Sequence, residues 1–257
     1  MAKLLTLKKQ VKKLIIERAV CQVASTNPNQ WPFNVPAVAQ LLEEGLTFTV
    51  PITFLVGENG SGKSTVIEAL AEAYGLDARG GRAGRKYVND RPKTPLGEVM
   101  QLDYTPKCSK YSASFRRRKG YFLRAETAFG FMSFVSGMYR YWEENITEMS
   151  HGEGFLTVLN TMFDDPGLYF MDEPEAPLSF SSCLRLVALM NRIATTGGQV
   201  ICATHSPLLT ALPGAEIFEF GSHGIRMVSW KELDLVDHWR RYLNDPSFYL
   251  RHILEED

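Results

Sequence analysis

The sequence lacks long apolar runs, metal-ligand cysteine spacing and an excess of charge of either sign. Its apolar runs, such as 52–57 and 168–171, are far shorter than the roughly 18 residues that a membrane-spanning helix needs. A formal net charge of −1 gives no overall attraction to nucleic acid or membrane. We expect free thiols in a reducing compartment, because no C-x-x-C spacing relates Cys21, Cys108, Cys183 and Cys202.

We also expect no secretory leader. Residues 1–13 are basic but have no apolar core or cleavage site, so we expect a cytoplasmic protein with a basic N-terminal arm. The chain has 257 residues, of which 45% are hydrophobic, and this suffices for a sizeable core. We expect a single domain over 1–257, with an insertion at about 77–149 and closing helices in 230–257.

The most informative stretch, Phe54 to Thr65, fits the pattern G-x-x-x-x-G-K-[ST]. The apolar run 52–56 predicts a buried strand before it, and 65–74 predict a helix that ends at Gly75. Glycines there bring backbone N–H groups close to phosphates, and a helix N-terminus attracts anions. The candidate phosphate-binding residues are Gly57, Glu58, Asn59, Gly60, Ser61, Gly62, Lys63, Ser64 and Thr65.

Two side chains of this loop have further predicted roles. Lys63 supplies a positive point charge to the β- and γ-phosphates, and the Ser64 hydroxyl is placed to ligate Mg²⁺. The alternative is a glycine-rich turn that carries Lys-Ser by chance, but the flanking strand and helix both favour phosphate binding.

Two more predicted strands end in polar residues. The apolar strand 168–171 leads into Asp172, which can hold Mg²⁺, and Glu173, which can orient and deprotonate water. The strand 199–203 leads to His205. Acidic turn formers are common and a lone histidine is often structural, but ligands bind at the carboxyl ends of parallel strands. We therefore favour functional roles for all three side chains.

Several other stretches each allow two interpretations. The Arg-rich segment 77–95 is either a surface loop or a contact to a phosphate backbone. An aromatic ring of the segment Trp31-Pro32-Phe33 either stacks on adenine or packs at the edge of the core. Arg124 and Glu126 form either an ordinary salt bridge or part of the nucleotide site. Ser150 begins a helix, as an N-cap or as a second anion site.

The C-terminal third is simpler. The runs 217–220 and 225–229 predict a hairpin, and 234–244 and 247–255 predict two closing helices. We interpret the remaining histidines as ordinary surface or packing residues, namely His223, His238 and His252.

In this order, the motifs resemble the ATP-binding cassette (ABC) superfamily across nearly the whole chain, and most of all its small stand-alone bacterial AAA/ABC-type predicted ATPases. The resemblance implies an α/β P-loop NTPase fold of the ABC-ATPase type: a mostly parallel core sheet, an antiparallel β portion and a small helical insertion. It also implies that Asp172 is the Walker B aspartate, Glu173 the catalytic base and His205 the switch histidine. Residues 149–153 then stand at the signature position, with Ser150 and Gly152 binding ATP.

The chain departs from the family pattern at several positions. His151 replaces the first glycine of the signature and Glu153 replaces its glutamine. Ser179 stands where the family has an aspartate after the Walker B strand. The candidates for the Q-loop residue are Gln101 and Glu126.

The resemblance implies binding and hydrolysis of ATP with Mg²⁺, through an ATP-sandwiched head-to-tail homodimer that acts on a macromolecular partner. Nucleic acid is one candidate partner, which the Arg-rich loops favour. The alternatives are the ATP-binding motor subunit of a membrane transporter, whose spans would belong to another chain, and an ATP-binding regulator without hydrolysis.

Overall fold

The computed structural model describes residues 14–22, 26–82, 92–108, 118–125, 159–160, 163 and 166–254. Several predicted features lie outside these ranges. They include the basic arm, most of the Arg-rich segment, Glu126, and the signature region with Ser150 and Gly152. No helix in the described ranges is long and apolar enough to cross a membrane.

Ten strands and six α-helices organise the described residues. In chain order they are β1 (Ile16–Cys21), α1 (Pro36–Glu44), β2 (Leu46–Thr47), β3 (Ile52–Gly57), α2 (Lys63–Tyr74), β4 (Gly81–Arg82), α3 (Pro95–Val99), β5 (Met100–Tyr104), β6 (Gly120–Arg124), β7 (Leu168–Asp172), α4 (Phe180–Thr195), β8 (Gln199–Thr204), β9 (Glu216–Gly221), β10 (Gly224–Val228), α5 (Asp234–Asn244) and α6 (Ser247–Leu254).

The strands form two sheets. A seven-stranded sheet has the order β10-β9-β3-β8-β7-β6-β4, in which β9, β3, β8, β7 and β6 run parallel and the two edge strands run antiparallel. A three-stranded antiparallel sheet has the order β2-β1-β5. The fold class expected from the sequence is confirmed: α/β, with a mostly parallel sheet and an antiparallel portion.

The middle strands β3, β8 and β7 of the central sheet are buried on both faces because they are apolar at nearly every position. Leu55 and Phe170 face a core that includes α1, α2 and the antiparallel sheet. Phe54 and Met171, their neighbours in sequence, face the opposite core, which includes α4. The period of two along each strand thus divides the apolar side chains between two helical layers.

Two polar side chains connect the antiparallel sheet and its neighbouring loop to the central one. Gln199, fully buried at the start of β8, accepts hydrogen bonds from the backbone N of Ile15 (2.8 Å) and Ile16 (3.0 Å) and donates to the Ile16 carbonyl. Glu216, at the start of β9, accepts from the hydroxyls of Thr49 and Thr53, both at 2.7 Å. The amino ends of the parallel strands are therefore closed by internal hydrogen bonds.

Most predicted elements are confirmed, with shifted ends. The predicted helix after the phosphate loop begins at Lys63, because Gly62 adopts the left-handed N-cap conformation at φ 98°. Helix α4 begins at Phe180, where the Ser179 side chain accepts a hydrogen bond from the backbone N of Ser182. Helices α1 and α3 were not predicted.

The four cysteines are free, as expected. Cys183 and Cys202 are buried, whereas Cys21 and Cys108 are half-buried. Burial raises the pKa of the Cys21 thiol to about 11, which keeps it in the unreactive protonated form.

Candidate nucleotide-binding site

The loop from Gly57 to Gly62 connects the carboxyl end of β3 to the amino end of α2. A side chain at Gly57 cannot fit, because its Cβ would lie 2.2 Å from the Phe220 carbonyl oxygen. At Gly62 the left-handed φ of 98° turns the chain into the helix. These two glycines hold the loop close to β9 and leave the first N–H groups of α2 directed at its concave side.

Lys63 is the buried cation of this loop. Its side chain is only 4% exposed, and its Nζ donates a hydrogen bond to the Glu58 carbonyl at 2.8 Å. Burial lowers the pKa of the ammonium, while the nearby carboxylates of Glu173 and Asp172 act in the opposite direction. The lysine is thus held at the loop by both a backbone oxygen and an acidic neighbourhood.

Ser64 and Asp172 meet although 108 positions separate them in the sequence. The Ser64 hydroxyl donates to Asp172 Oδ1 at 3.1 Å. Asp172 is 6% exposed, and burial raises its pKa, while the charge of Arg124 and the Ser64 hydrogen bond oppose that rise. Arg124, in turn, forms an ion pair with Glu68 of α2 at 2.7 Å, and its predicted pair with Glu126 lies outside the described residues.

Glu173 and His205 lie at the ends of the adjacent strands β7 and β8. Glu173 Oε1 is 3.3 Å from His205 Nε2, an ion-pair distance without hydrogen-bond alignment. The Glu173 backbone donates to the Ala203 carbonyl at 2.9 Å and has a positive φ of 49°. Burial, and then the charge of Lys63, lower the pKa of His205, while Glu173 opposes them. The favoured state of the imidazole near neutral pH is therefore uncharged.

Sequence reasoning missed Glu175. Its Oε1 accepts hydrogen bonds from the Thr204 hydroxyl and from the backbone N of His205 at 2.8 Å. Burial raises the pKa of this carboxyl group. Glu175 therefore fixes the backbone that carries His205. The sequence signal was present, since Glu175 follows Asp172 and Glu173 in the same acidic turn, but its partner on β8 could not be read from it.

A cavity of about 880 Å³ opens beside the phosphate loop. Its lining includes loop residues 57–61 and His205, the end of β9 with the turn residues 222 and 223, and side chains of helices α5 and α6. His223 and His238, which we had interpreted as ordinary surface or packing residues, both line this cavity.

The structure does not bring every candidate residue to this place. Gln101 lies in β5, exposed and paired with Val20, away from the cavity lining. Trp31 is 61% exposed and does not line the cavity, whereas Phe33 packs in the core. The predicted positions of Ser150 and Gly152 remain outside the described residues.

The oxygen atoms of Ser64 and Asp172 suit a hard divalent cation. Mg²⁺ prefers oxygen ligands and is usually bound by one or two protein side chains together with water and substrate phosphates. The 3.1 Å approach of these two groups fits that pattern, and the described residues contain no cluster of three or more His, Cys, Asp or Glu side chains able to hold a metal on their own.

Comparisons with known proteins agree with this geometry. A family model described as an AAA domain matches residues 39–150, and a second AAA domain model, whose description names the AbiEii toxin of a type IV TA system, matches residues 139–211. Among curated proteins, ABC transporter G family member 2 of Dictyostelium discoideum is 23% identical over 79% of this chain and 17% of its own length. ABC transporter G family member 2 of Arabidopsis thaliana is 28% identical over 60% of this chain and 22% of its own length. The chain thus spans about a fifth of these relatives.

A solved structure that is similar to the chain is the SMC head domain from Thermotoga maritima. It is 16% identical, with a TM-score of 0.44, and the match covers 72% of this chain and 92% of that one. A dimeric bacterial ABC transporter cassette is 15% identical, with a TM-score of 0.43, over 74% of this chain and 90% of that one.

The phosphate loop between β3 and α2, with an acidic strand end beside it, makes this chain a P-loop nucleoside triphosphatase. The matches to two AAA domain models and the similarity to ABC transporter proteins support an ABC-type P-loop ATPase.

Proposed function

We propose that the chain binds ATP with Mg²⁺ on residues 57–65 and hydrolyses it with Glu173 as the base and His205 as the contact to the γ-phosphate. The observation that carries this proposal is the meeting of three strand ends. Lys63 follows β3, Asp172 ends β7, and His205 follows β8, and their side chains act electrostatically on one another.

Substrate binding would use the loop and Lys63. The glycine-rich loop offers backbone N–H groups to the β- and γ-phosphates, and Lys63 neutralises part of their charge. Phosphate oxygens would replace the Glu58 carbonyl as acceptors for the lysine ammonium, which now donates to it at 2.8 Å. Because Lys63 is already buried and positioned, little reorganisation is needed when charge develops during the reaction.

Ser64 and Asp172 would hold Mg²⁺, the serine directly and the aspartate through water. Bound Mg²⁺ supplies charge neutralisation at the β- and γ-phosphate oxygens. Their hydrogen bond in this structure shows that the two oxygens are close enough to share a cation.

Glu173 would align the attacking water and accept its proton. An uncharged His205 can donate one hydrogen bond toward the γ-phosphate while its backbone is fixed by Glu175. Glu173 Oε1 lies 3.3 Å from His205 Nε2, so the proposed base and the proposed phosphate contact are neighbours.

The homodimer is the finer part of the proposal. The signature segment around Ser150 and Gly152 would contact the ATP held by the other copy, so neither half-site would be complete alone. Closing and reopening of the dimer would then transmit the energy of hydrolysis to a partner.

The Glu173→Gln variant tests this proposal. Its amide cannot accept the proton from water, so we expect retained ATP binding, loss of hydrolysis and accumulation of an ATP-bound dimer in gel filtration. Glu43→Gln, which alters an exposed carboxylate on α1, is the matched control and should hydrolyse ATP at the wild-type rate. A wild-type chain that binds ATP without hydrolysing it would instead support the regulator alternative, and a variant that stays monomeric with ATP would contradict the sandwich dimer.

The partner has two candidates. The ABC transporter names of the relatives favour a motor subunit that works on a separate membrane protein. The Arg-rich stretches of the sequence favour nucleic acid. ATPase rates with DNA, with RNA and with membranes separate these classes: salt-sensitive stimulation by nucleic acid supports the second, and co-sedimentation of the Glu173→Gln form with membranes supports the first.

A further inference from the structure

Aromatic side chains line part of the cavity beside the phosphate loop, and we call them the aromatic wall. Trp239, Tyr242 and Tyr249 of the two C-terminal helices line it, together with His238. A volume of about 880 Å³ lies within the roughly 300–1,000 Å³ range of small-molecule sites. Since residues 57–61 line the same cavity, a ligand whose phosphates lie on the loop would extend into this space.

The rings of this wall support one another. Tyr249 packs edge-to-face against Tyr242, with ring centroids 5.9 Å apart, and its hydroxyl is 2.9 Å from His238 Nδ1. Trp239 is 46% exposed and Tyr242 is 38% exposed. Large aromatic rings are strong stacking surfaces, and here they are left partly open beside a phosphate site.

The wall is also fixed relative to the phosphate loop. The backbone N of Asp234, the first residue of α5, donates to Glu219 Oε1 on β9 at 3.0 Å. Trp230, just before α5, donates its Nε1 to the Pro207 carbonyl at 2.8 Å. Strand β9 pairs with β3 beside the loop, with Phe220 opposite Gly57. The start of α5 is thus connected to the phosphate loop through a single strand.

The lining carries the carboxylates of Glu58, Glu219 and Asp234, so the positive charge for an anionic ligand has to come from the phosphate loop. Glu219 is a buried carboxylate, but Arg226 pairs with it, since its Nε donates to Glu219 Oε2 at 2.6 Å. Lys63 and the amino end of α2 supply positive potential at the loop. A ligand with a polyanionic end and an aromatic end could therefore place its negative charge at the phosphate loop and stack its ring on the aromatic side chains.

We propose that helices α5 and α6 form the base-binding half of the nucleotide site, with Trp239 and Tyr242 as the surface on which the adenine ring of ATP stacks. This inference rests on the proposed function and adds residues that the sequence motifs do not contain. It replaces Trp31 as the stacking residue, because Trp31 does not line the cavity. Nucleotide occupancy would then be sensed directly by the C-terminal helices.

Binding of ATP and of inorganic tripolyphosphate to matched variants tests the proposal. Loss of one base–aromatic stack corresponds to about 5- to 150-fold in affinity. We expect Trp239→Ala and Tyr242→Ala to weaken ATP binding by at least about 10-fold and to leave tripolyphosphate binding unchanged, because only ATP carries a base. Trp31→Ala is the control and should bind both ligands like the wild type.

Tryptophan fluorescence gives a second measurement that does not require a truncated side chain. ATP should quench the wild-type emission, tripolyphosphate should not, and Trp239→Phe should lose the quenching while it retains ATP affinity within a few-fold.

Three results would overturn the inference. Unchanged ATP affinity in both alanine variants would do so, as would a weakening confined to Trp31→Ala, or an equal loss for ATP and tripolyphosphate in variants whose fold is intact by circular dichroism. If the wild-type chain bound neither ligand, the proposed function itself would fail, which is a distinct outcome.

Discussion

The buried polar groups at the two ends of the parallel strands differ in whether they have hydrogen-bond partners. At the amino ends, Gln199 and Glu216 are matched by hydrogen bonds from within the chain. At the carboxyl ends, Ser61 Oγ, His205 Nε2 and Glu175 Oε2 are buried with no hydrogen-bond partner in the described part of the chain. Both Ser61 and His205 also line the cavity.

This difference distinguishes polar groups that stabilise the fold from polar groups that are available to a ligand. A buried polar group without a partner lowers the free energy of unfolding, and such groups are typical of sites that a ligand, an ion or ordered water completes. The pKa values at the carboxyl end point the same way, since burial lowers that of Lys63 and raises those of Asp172 and Glu175. Changes at the two ends should therefore have different signatures in activity and in stability.

The largest expected effect is on activity, at the carboxyl end. Lys63→Ala removes the buried charge that faces the phosphates, and we expect ATP hydrolysis to fall by about 10²- to 10³-fold. The melting temperature should stay near that of the wild type or rise, because burial of the ammonium is unfavourable. Enzyme assays and thermal melts check both parts, with the exposed Lys231→Ala as control. A large loss of stability with little loss of activity would contradict the functional role that we give to the carboxyl ends of the strands.

The next effect is on stability, at the amino end. Gln199→Ala leaves the buried N–H groups of Ile15 and Ile16 without their acceptor, so we expect a loss of about 3 kcal/mol in the free energy of unfolding. The rate of ATP hydrolysis per folded molecule should change little. Denaturant unfolding measures the loss, and the exposed Gln22→Ala serves as control. Wild-type stability in Gln199→Ala would show that the connection to β1 is not needed.

The smallest effect concerns pH. The folded chain lowers the pKa of His205 below its ordinary value of 6.5, so below that pH the unfolded chain binds a proton that the folded chain resists. The stability that depends on the neutral imidazole is therefore present above about pH 6.5 and is lost as the pH falls. Melting temperatures between pH 5.5 and 8 should show the wild type losing more stability on acidification than His205→Gln. Parallel curves for the two proteins would contradict the lowered pKa.

The sequence predicted the carboxyl end far better than the amino end. The candidate site residues can be recognised in the sequence because each motif places a charged or titratable side chain near the end of a predicted strand. The parallel topology of those strands then brings Lys63, Asp172 and His205 together. Gln199 could not be recognised, because its partners are backbone groups 183 and 184 positions away. For the same reason the sequence did not reveal the ion pair of Arg124 with Glu68, which lies on helix α2.

Helix α1 and the aromatic wall were missed for different reasons. The 36–44 segment begins at Pro36, whose role at a first helical position is not distinctive without knowledge of the strand it covers. Helices α5 and α6 were predicted correctly, but periodicity does not reveal that their aromatic side chains reach the cavity beside the loop.

Because the backbone at Glu173 is left-handed, selection for stability and selection for the proposed catalytic role favour different residues at this position. A side chain with a Cβ costs about 1–2 kcal/mol in that conformation, and Gly or Asn would relieve much of this cost. A library sorted only for resistance to heat should therefore enrich Gly and Asn at position 173 and discard the proposed base. Engineering that aims to raise the thermal stability of this ATPase should therefore keep Glu173 unchanged.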